Sequence, residues 1–209
     1  SRNPSLKYIN RDMASLLKKY EGGLSYNEIQ AHTAKSRKWY IEQLKTLKLG
    51  APSRLLRDRE TIKKSRMMPG RMFMFTYDPK TKDTLPFYDT FPLVMVVDKV
   101  QGHPGFYGLN FHYLEYRKRG ILLEKLLTYK SDNRFDEKTK LRLSYDLLKS
   151  ASKLREFKPC FKHYLPSQIT SQLKLVPSEY WETVLFMPSE RFQKESKKTV
   201  FADSRRKYT

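Results

Sequence analysis

Residues 77–97 read Tyr-Asp-Pro-Lys-Thr-Lys-Asp-Thr-Leu-Pro-Phe-Tyr-Asp-Thr-Phe-Pro-Leu-Val-Met-Val-Val. The end of this stretch, Phe91–Val97, is a nearly continuous apolar run with β-branched content, short enough to be a buried strand. Pro92 marks its entry, and Pro79 and Pro86 fix the path of the preceding loop, because proline locks its own backbone torsion. Upstream, Met72–Tyr77 reads as another strand, closed by a turn at Asp78-Pro79. Downstream, Gly102-His-Pro-Gly105 is a turn and Phe106–Tyr113 a third strand. Three short strands joined by turns predict a compact antiparallel sheet or a small open barrel.

Beyond residue 113 the apolar period lengthens. Ile121–Leu127 is helical in pattern, and Asp136–Leu154 places Leu141, Tyr145 and Leu148 on one helix face. Short helices are expected at Pro166–Leu173 and Pro177–Phe186, with a brief strand at Lys174–Val176. From Pro188 the chain is polar and basic again (Lys194, Lys197, Lys198, Arg205, Arg206, Lys207) and reads as a tail. Upstream of the sheet, Leu6, Ile9, Met13, Leu16 and Leu17 form one apolar stripe of a helix over Ser5–Tyr20. Gly22 and Gly23 are expected to end it. Ser25 and Glu28 then fit a capping box, with Leu24 and Ile29 as a hydrophobic staple. A second helix should run from Tyr26 to about Leu47, stopped by Gly50 and Pro52. Arg54–Arg66 is a basic run with little apolar content, read as a linker or as an arm that orders on binding. The expected fold is α+β: a basic helical N-terminal segment and arm (residues 1–66), a core domain with a small antiparallel sheet or open barrel and packed helices (67–187), and a basic C-terminal tail (188–209).

Charge narrows the class of function. The 209 residues carry 42 Lys and Arg against 22 Asp and Glu, a formal net charge of +20. Residues 1–66 alone hold 16 basic against 6 acidic side chains. Such an imbalance repels itself in a compact chain, so an anionic partner is implied. The apolar fraction of 39%, with 13% aromatic, suffices for a core. No apolar run approaches the roughly 20 residues needed to span a bilayer, no signal peptide is apparent, and no stretch reads better as a membrane-surface helix than as a core-facing one. Of the anionic partners open to it, nucleic acid, a membrane surface or an acidic protein, nucleic acid is the leading one. The single cysteine, Cys160, excludes a disulfide framework and suggests a reducing compartment.

The residues expected to contact phosphates are Arg37, Lys38, Lys45, Arg54, Arg57, Arg59, Lys63, Lys64 and Arg66, because a solvated face that serves only solubility mixes its signs. Trp39 is expected in the core; Tyr40 could stack on an exposed base. A helix-turn-helix reading would need base-reading side chains in the first turn of the second helix, which here is Tyr-Asn-Glu-Ile. Cys160 and His163, with His103 and His112, do not make the two close ligand pairs of a structural zinc site. Asp78-Pro79-Lys80 and Asp136-Glu137-Lys138 are the acid–Lys clusters a metal-dependent nuclease would use, yet each also suits a turn or a helix start. No P-loop, dinucleotide-binding glycine pattern or nucleophile elbow is present. No catalytic residue, cofactor or metal is expected.

The block 77–94, continued by Gly105-Phe-Tyr-Gly-Leu-Asn-Phe-His-Tyr-Leu114, resembles the DNA end protectors, head-completion proteins of T-even-like tailed bacteriophages. Arg134-Phe-Asp-Glu-Lys-Thr-Lys-Leu-Arg-Leu-Ser-Tyr145, Phe157-Lys-Pro-Cys-Phe-Lys-His-Tyr-Leu165 and Pro188-Ser-Glu-Arg-Phe-Gln-Lys194 agree with it. The resemblance covers roughly Gly70–Arg205 and extends N-terminally only through Ser36-Arg-Lys-Trp-Tyr40. It implies a virion protein of the head or neck, present in the host cytoplasm during assembly and after injection. Such a protein holds the ends of packaged double-stranded DNA against host exonuclease and contacts portal or neck proteins. It implies no membrane and no catalytic residues. The alternative is a structural neck, portal or baseplate component that binds no DNA end.

Overall fold

The computed structural model describes residues 13–57, 63–64, 66–130, 146, 148–150 and 155–208. The expected helical residues 5–12 and most of Asp136–Leu154 lie outside that set. The fold is α+β, as expected from the sequence, and its main sheet is open. Its strands are β1 (Lys63–Lys64), β2 (Met72–Met74), β4 (Leu93–Lys99), β5 (Phe106–Asn110), β6 (Phe161–Tyr164) and β7 (Lys174–Val176), in the order β1-β7-β2-β4-β5-β6 with every pairing antiparallel. A separate ribbon pairs β3 (Tyr88–Asp89) with β8 (Phe192–Gln193).

Both faces of the main sheet are covered. In β2 and β4, Met72, Met74, Leu93, Met95 and Val97 enter one apolar cluster, while Phe73, Val94 and Val96 enter another. This is the alternation of a pleated strand, read out in a run apolar at every position. The second cluster is aromatic, with Phe75, Tyr77, Phe106 and Tyr164 in edge and stacked contacts. The first cluster is the main core. It takes in α1 (Met13–Tyr26), α2 (Ala34–Leu44), α4 (Tyr116–Lys130) and α5 (Trp181–Phe186), and reaches Val200 of α6 (Lys197–Tyr208). A short α3 spans Pro52–Leu55, with Pro52 in its first turn and Leu55 buried.

Several boundaries differ from expectation for physical reasons. α1 runs through Gly22 and Gly23 to Tyr26. Gly23 is a packing contact: a β-carbon there would lie 3.1 Å from the indole of Trp39. The Ser25–Glu28 box does not start a helix, because Glu28 and His32 take left-handed torsions, φ 53° and 60°. The capping box forms instead between Thr33 and Ser36, whose side chains each accept the other's main-chain N–H at 3.1 and 2.9 Å. Of the expected third strand, Phe111–Tyr113 is a 3-10 turn that follows β5. Within the expected arm, Lys63 and Lys64 form an edge strand on β7. The region read as a tail carries β8 and α6.

Candidate nucleic-acid interface

A buried polar hub lies beside the β3–β8 ribbon. Asp89 ends β3, and its carboxylate accepts from His112 Nδ1 at 2.6 Å and from Asn110 Nδ2, Phe91 N and Arg191 N at 3.0–3.1 Å. Burial raises the pKa of Asp89, but His112 and these donors outweigh it and hold the carboxyl below its ordinary value. His112 Nε2 shares a 2.9 Å hydrogen bond with Ser189 Oγ. One residue on, Glu190 accepts from Tyr116 OH at 2.7 Å and pairs with Lys197 at 3.1 Å and with Arg119 at 3.4 Å. Arg119 is fully buried and also donates to the carbonyls of His112, Leu114 and Leu185 at 2.7–3.1 Å. Its guanidinium stacks 4.4 Å from the centre of the Tyr116 ring.

The Asp89–His112–Ser189 chain has the hydrogen-bond order of a nucleophilic triad. Ser189, however, is 0% exposed, and no substrate can reach its hydroxyl. The chain is a structural network whose members satisfy one another's polar atoms, the condition for burying them at modest cost. Asp78, considered above for metal chemistry, is ion-paired to Lys82 at 2.8 Å across one turn. Cys160 is buried, its Sγ–H donates to the Phe157 carbonyl, and burial pushes its thiol up to about 12. His163 is exposed on β6. Among the described residues, no three His, Cys, Asp or Glu side chains gather as a metal site.

The hub reaches the basic segment through Arg191. Its Nη1 donates to the carbonyls of Pro188 and Glu190, and its Nη2 to those of Leu49 and Gly50, at 3.0–3.3 Å. The connection between α2 and α3 is thereby clamped to β8. Lys194 acts similarly on the loop before β3, donating to the carbonyls of Lys82, Asp83 and Leu85.

The expected contact residues fall on α2, on and just after α3, and on β1. Lys38, on α2, and Lys45, its C-cap, are exposed; Lys35 lies three residues before Lys38 and Lys45 seven after it, so the three share one stripe. Glu42 lies between Lys38 and Lys45, 3.9 Å from the Lys45 ammonium. Arg54 and Arg57, on and just after α3, are exposed, as is Arg66. Lys63 and Lys64 are placed by the β1–β7 pairing. Arg59 lies outside the described residues. Arg37 faces the other way: it is ion-paired to Glu124 of α4 at 2.6 Å, its side chain is 17% exposed, and its methylenes lie against Gly120. It ties α2 to α4.

Tyr40 is corrected from a candidate stacking residue to a core residue. It is 2% exposed, its ring stacks on Phe186, its hydroxyl lies 2.9 Å from Thr183 Oγ1, and burial pushes its phenol up to about 12. No face of the ring is open to a base. The helix presents Ser36, Tyr40 and Leu44 inward, a stripe at spacing four, and Trp39 lies half-buried beside it. The aromatic that sequence reading missed is Tyr26, 89% exposed at the end of α1. The turn after it is pinned by Asn27 Nδ2 on the Gly23 carbonyl and by the contact of His32 with Glu182.

No helix among the described residues is long and apolar enough to cross a membrane. Residues 2–207 match the family described as Phage T4 terminal DNA protecting protein. That description is of protection, not of a catalysed reaction. No curated protein and no solved structure matches the chain.

Proposed function

Because the chain belongs to the family of phage T4 terminal DNA protecting proteins, we propose that it is a virion protein that binds the ends of packaged double-stranded DNA, shields them from host exonuclease and completes the phage head. The family match carries this reading, since it covers nearly the whole chain. The net charge of +20 supports it independently. The mechanism is steric. Lys38, Lys45, Arg54, Arg57 and Arg66, with Arg59, Lys63 and Lys64, hold phosphates near a terminus, and the folded body occupies the space a nuclease needs. Residues 1–66 supply most of the contact, 67–187 the scaffold, and 188–209 further basic surface. Tyr26 takes the stacking role that Tyr40 cannot fill, as a rigid aromatic against the last base pair. Portal or neck proteins of the head are the protein partners, and the sites of action are the virion and the host cytoplasm during assembly and after injection.

The test is a salt titration of binding to a blunt linear duplex and to a closed circle of the same sequence. Tighter binding to the linear form is expected, with a steep slope of log affinity against log salt. The double substitution Lys38→Gln/Lys45→Gln should reduce that slope by about 1.8, at roughly 0.9 per phosphate released. Equal affinity for the two forms would favour a structural neck or baseplate component instead.

A further inference from the structure

We propose that the cleft between the α2–α3 connection and β8 is a site for a phosphate anion, and that its occupant is the terminal phosphate monoester of the DNA. The proposal rests on the end-binding reading above and supplies what that reading lacks, a feature that tells an end from the interior of a duplex. The cleft has a volume of about 490 Å³ and is lined by the 47–51 segment, Pro188 and Arg191.

Two cations line it without acidic partners among the described residues. A guanidinium carries five N–H donors. Four of those of Arg191 are spent on neutral main-chain carbonyls, of Pro188, Glu190, Leu49 and Gly50. Its Nε–H is left over, and no carboxylate among the described residues pairs with its charge. The neighbouring Glu190 carboxylate is committed to Arg119, Lys197 and Tyr116. Lys48, exposed on the same cleft, likewise has no ion pair among the described residues.

The surroundings add to the field. Residues 45–57 hold Lys45, Lys48, Arg54 and Arg57 and no Asp or Glu. Arg119 shows the contrast: it is equally immobilised by carbonyls, but its charge is met by Glu190. Arg191 is thus a fixed, half-buried positive charge in an open cleft, oriented in advance by its carbonyl clamp and needing little reorganisation to bind. Either a terminal monoester or an internal diester could supply the phosphoryl oxygens. A monoester carries roughly −1.5 to −2 near neutral pH, against −1 for a diester, and so better matches two uncompensated cations.

The test compares one blunt duplex with 5′-phosphate ends, the same duplex with 5′-hydroxyl ends, and the closed circle. Each is titrated against the wild-type chain and against Lys48→Gln, because substituting Arg191 would also release the clamp. The expected result is about tenfold tighter binding of the phosphorylated ends by the wild type, the scale of one charge-assisted hydrogen bond. Most of that advantage should vanish in Lys48→Gln, while affinity for the hydroxyl ends stays within about twofold. Equal binding of phosphorylated and hydroxyl ends overturns the proposal; if both still bind more tightly than the circle, end binding itself stands. Equal losses on all three DNAs in Lys48→Gln would assign the cleft to internal phosphates and also overturn it. Should neither linear form exceed the circle, the end-binding reading fails with it.

Discussion

Replacing Glu190 with glutamine separates the hub's electrostatics from its packing. Glu190 is 7% exposed and sits between Arg119, Lys197 and the Tyr116 hydroxyl. Burial pushes its pKa up, but Arg119, His112, Lys197 and the Tyr116 hydrogen bond pull it down further, from 4.5 to about 2. A carboxyl depressed in the folded state binds fewer protons there than in the unfolded chain. Its stabilisation is therefore in place above the unfolded pKa of 4.5 and is lost as the pH falls toward 2. The depression corresponds to about 3 kcal/mol, of which about 2 kcal/mol is gone by pH 3. Glu190→Gln cannot lose what it lacks. Arg119 stays buried and unpaired in it at every pH, so it is less stable than the wild type at pH 7 by roughly that same energy, about 3 kcal/mol or somewhat more. Urea unfolding of both chains at pH 7, 5, 4 and 3 should show the gap between them narrowing by about 2 kcal/mol from pH 7 to pH 3. Asp89 titrates in both chains and cancels in the difference. A gap constant within about 0.5 kcal/mol would refute the electrostatic assignment.

Two further substitutions test the fold and the corrected site. Tyr40→Phe keeps the ring stacked on Phe186 and removes only the hydroxyl contact with Thr183. It should cost about 1 kcal/mol in urea unfolding and leave duplex affinity unchanged; a loss of about tenfold in affinity with the fold intact would return Tyr40 to the interface. At Gly108 a β-carbon would lie 2.2 Å from Val94 Cγ1 and 3.2 Å from the Met95 carbonyl. Gly108→Ala should therefore destabilise by about 1–3 kcal/mol, and a change below about 0.5 kcal/mol would contradict the close approach of β4 and β5.

The sheet was legible where side chains alone decide it. Phe91–Val97 reads as a buried strand because the run is nearly continuously apolar, and β4 spans Leu93–Lys99; the strand read at Lys174–Val176 coincides with β7. β1 was not legible. Two lysines carry no strand signal, and their pairing with β7 is main-chain hydrogen bonding that side chains do not encode. The α1–α2 turn misled because Gly22-Gly23 is conventional punctuation, whereas Gly23 here admits Trp39 and the break falls at left-handed Glu28 and His32. The hub was hidden by separation in sequence, since Asp89 meets residues 21, 23 and 102 positions away. One trace was available. Arg119 stands at i, i+3 and i+4 with Leu122 and Leu123, on the buried stripe of α4, where a charge requires an internal partner.

Most of the stretches that carry the resemblance lie apart from the residues proposed to hold phosphates, although Lys38, within Ser36–Tyr40, is common to both. Residues 77–94, 105–114 and 188–194 meet at the hub and supply Asp89, then Asn110 and His112, then Ser189, Glu190 and Arg191. A buried network tolerates few substitutions, because each partner's geometry is fixed by the others, so its pattern is readable as wording. A phosphate contact needs only a positive charge within reach, and lysines on a helix stripe supply it without a motif. Arg191 belongs to both sets. Its main-chain N–H closes the hub on Asp89 while its guanidinium holds Leu49 and Gly50. Through Arg191 a stretch that carries the resemblance is hydrogen-bonded to the basic run from Lys45 to Arg57, at Leu49 and Gly50.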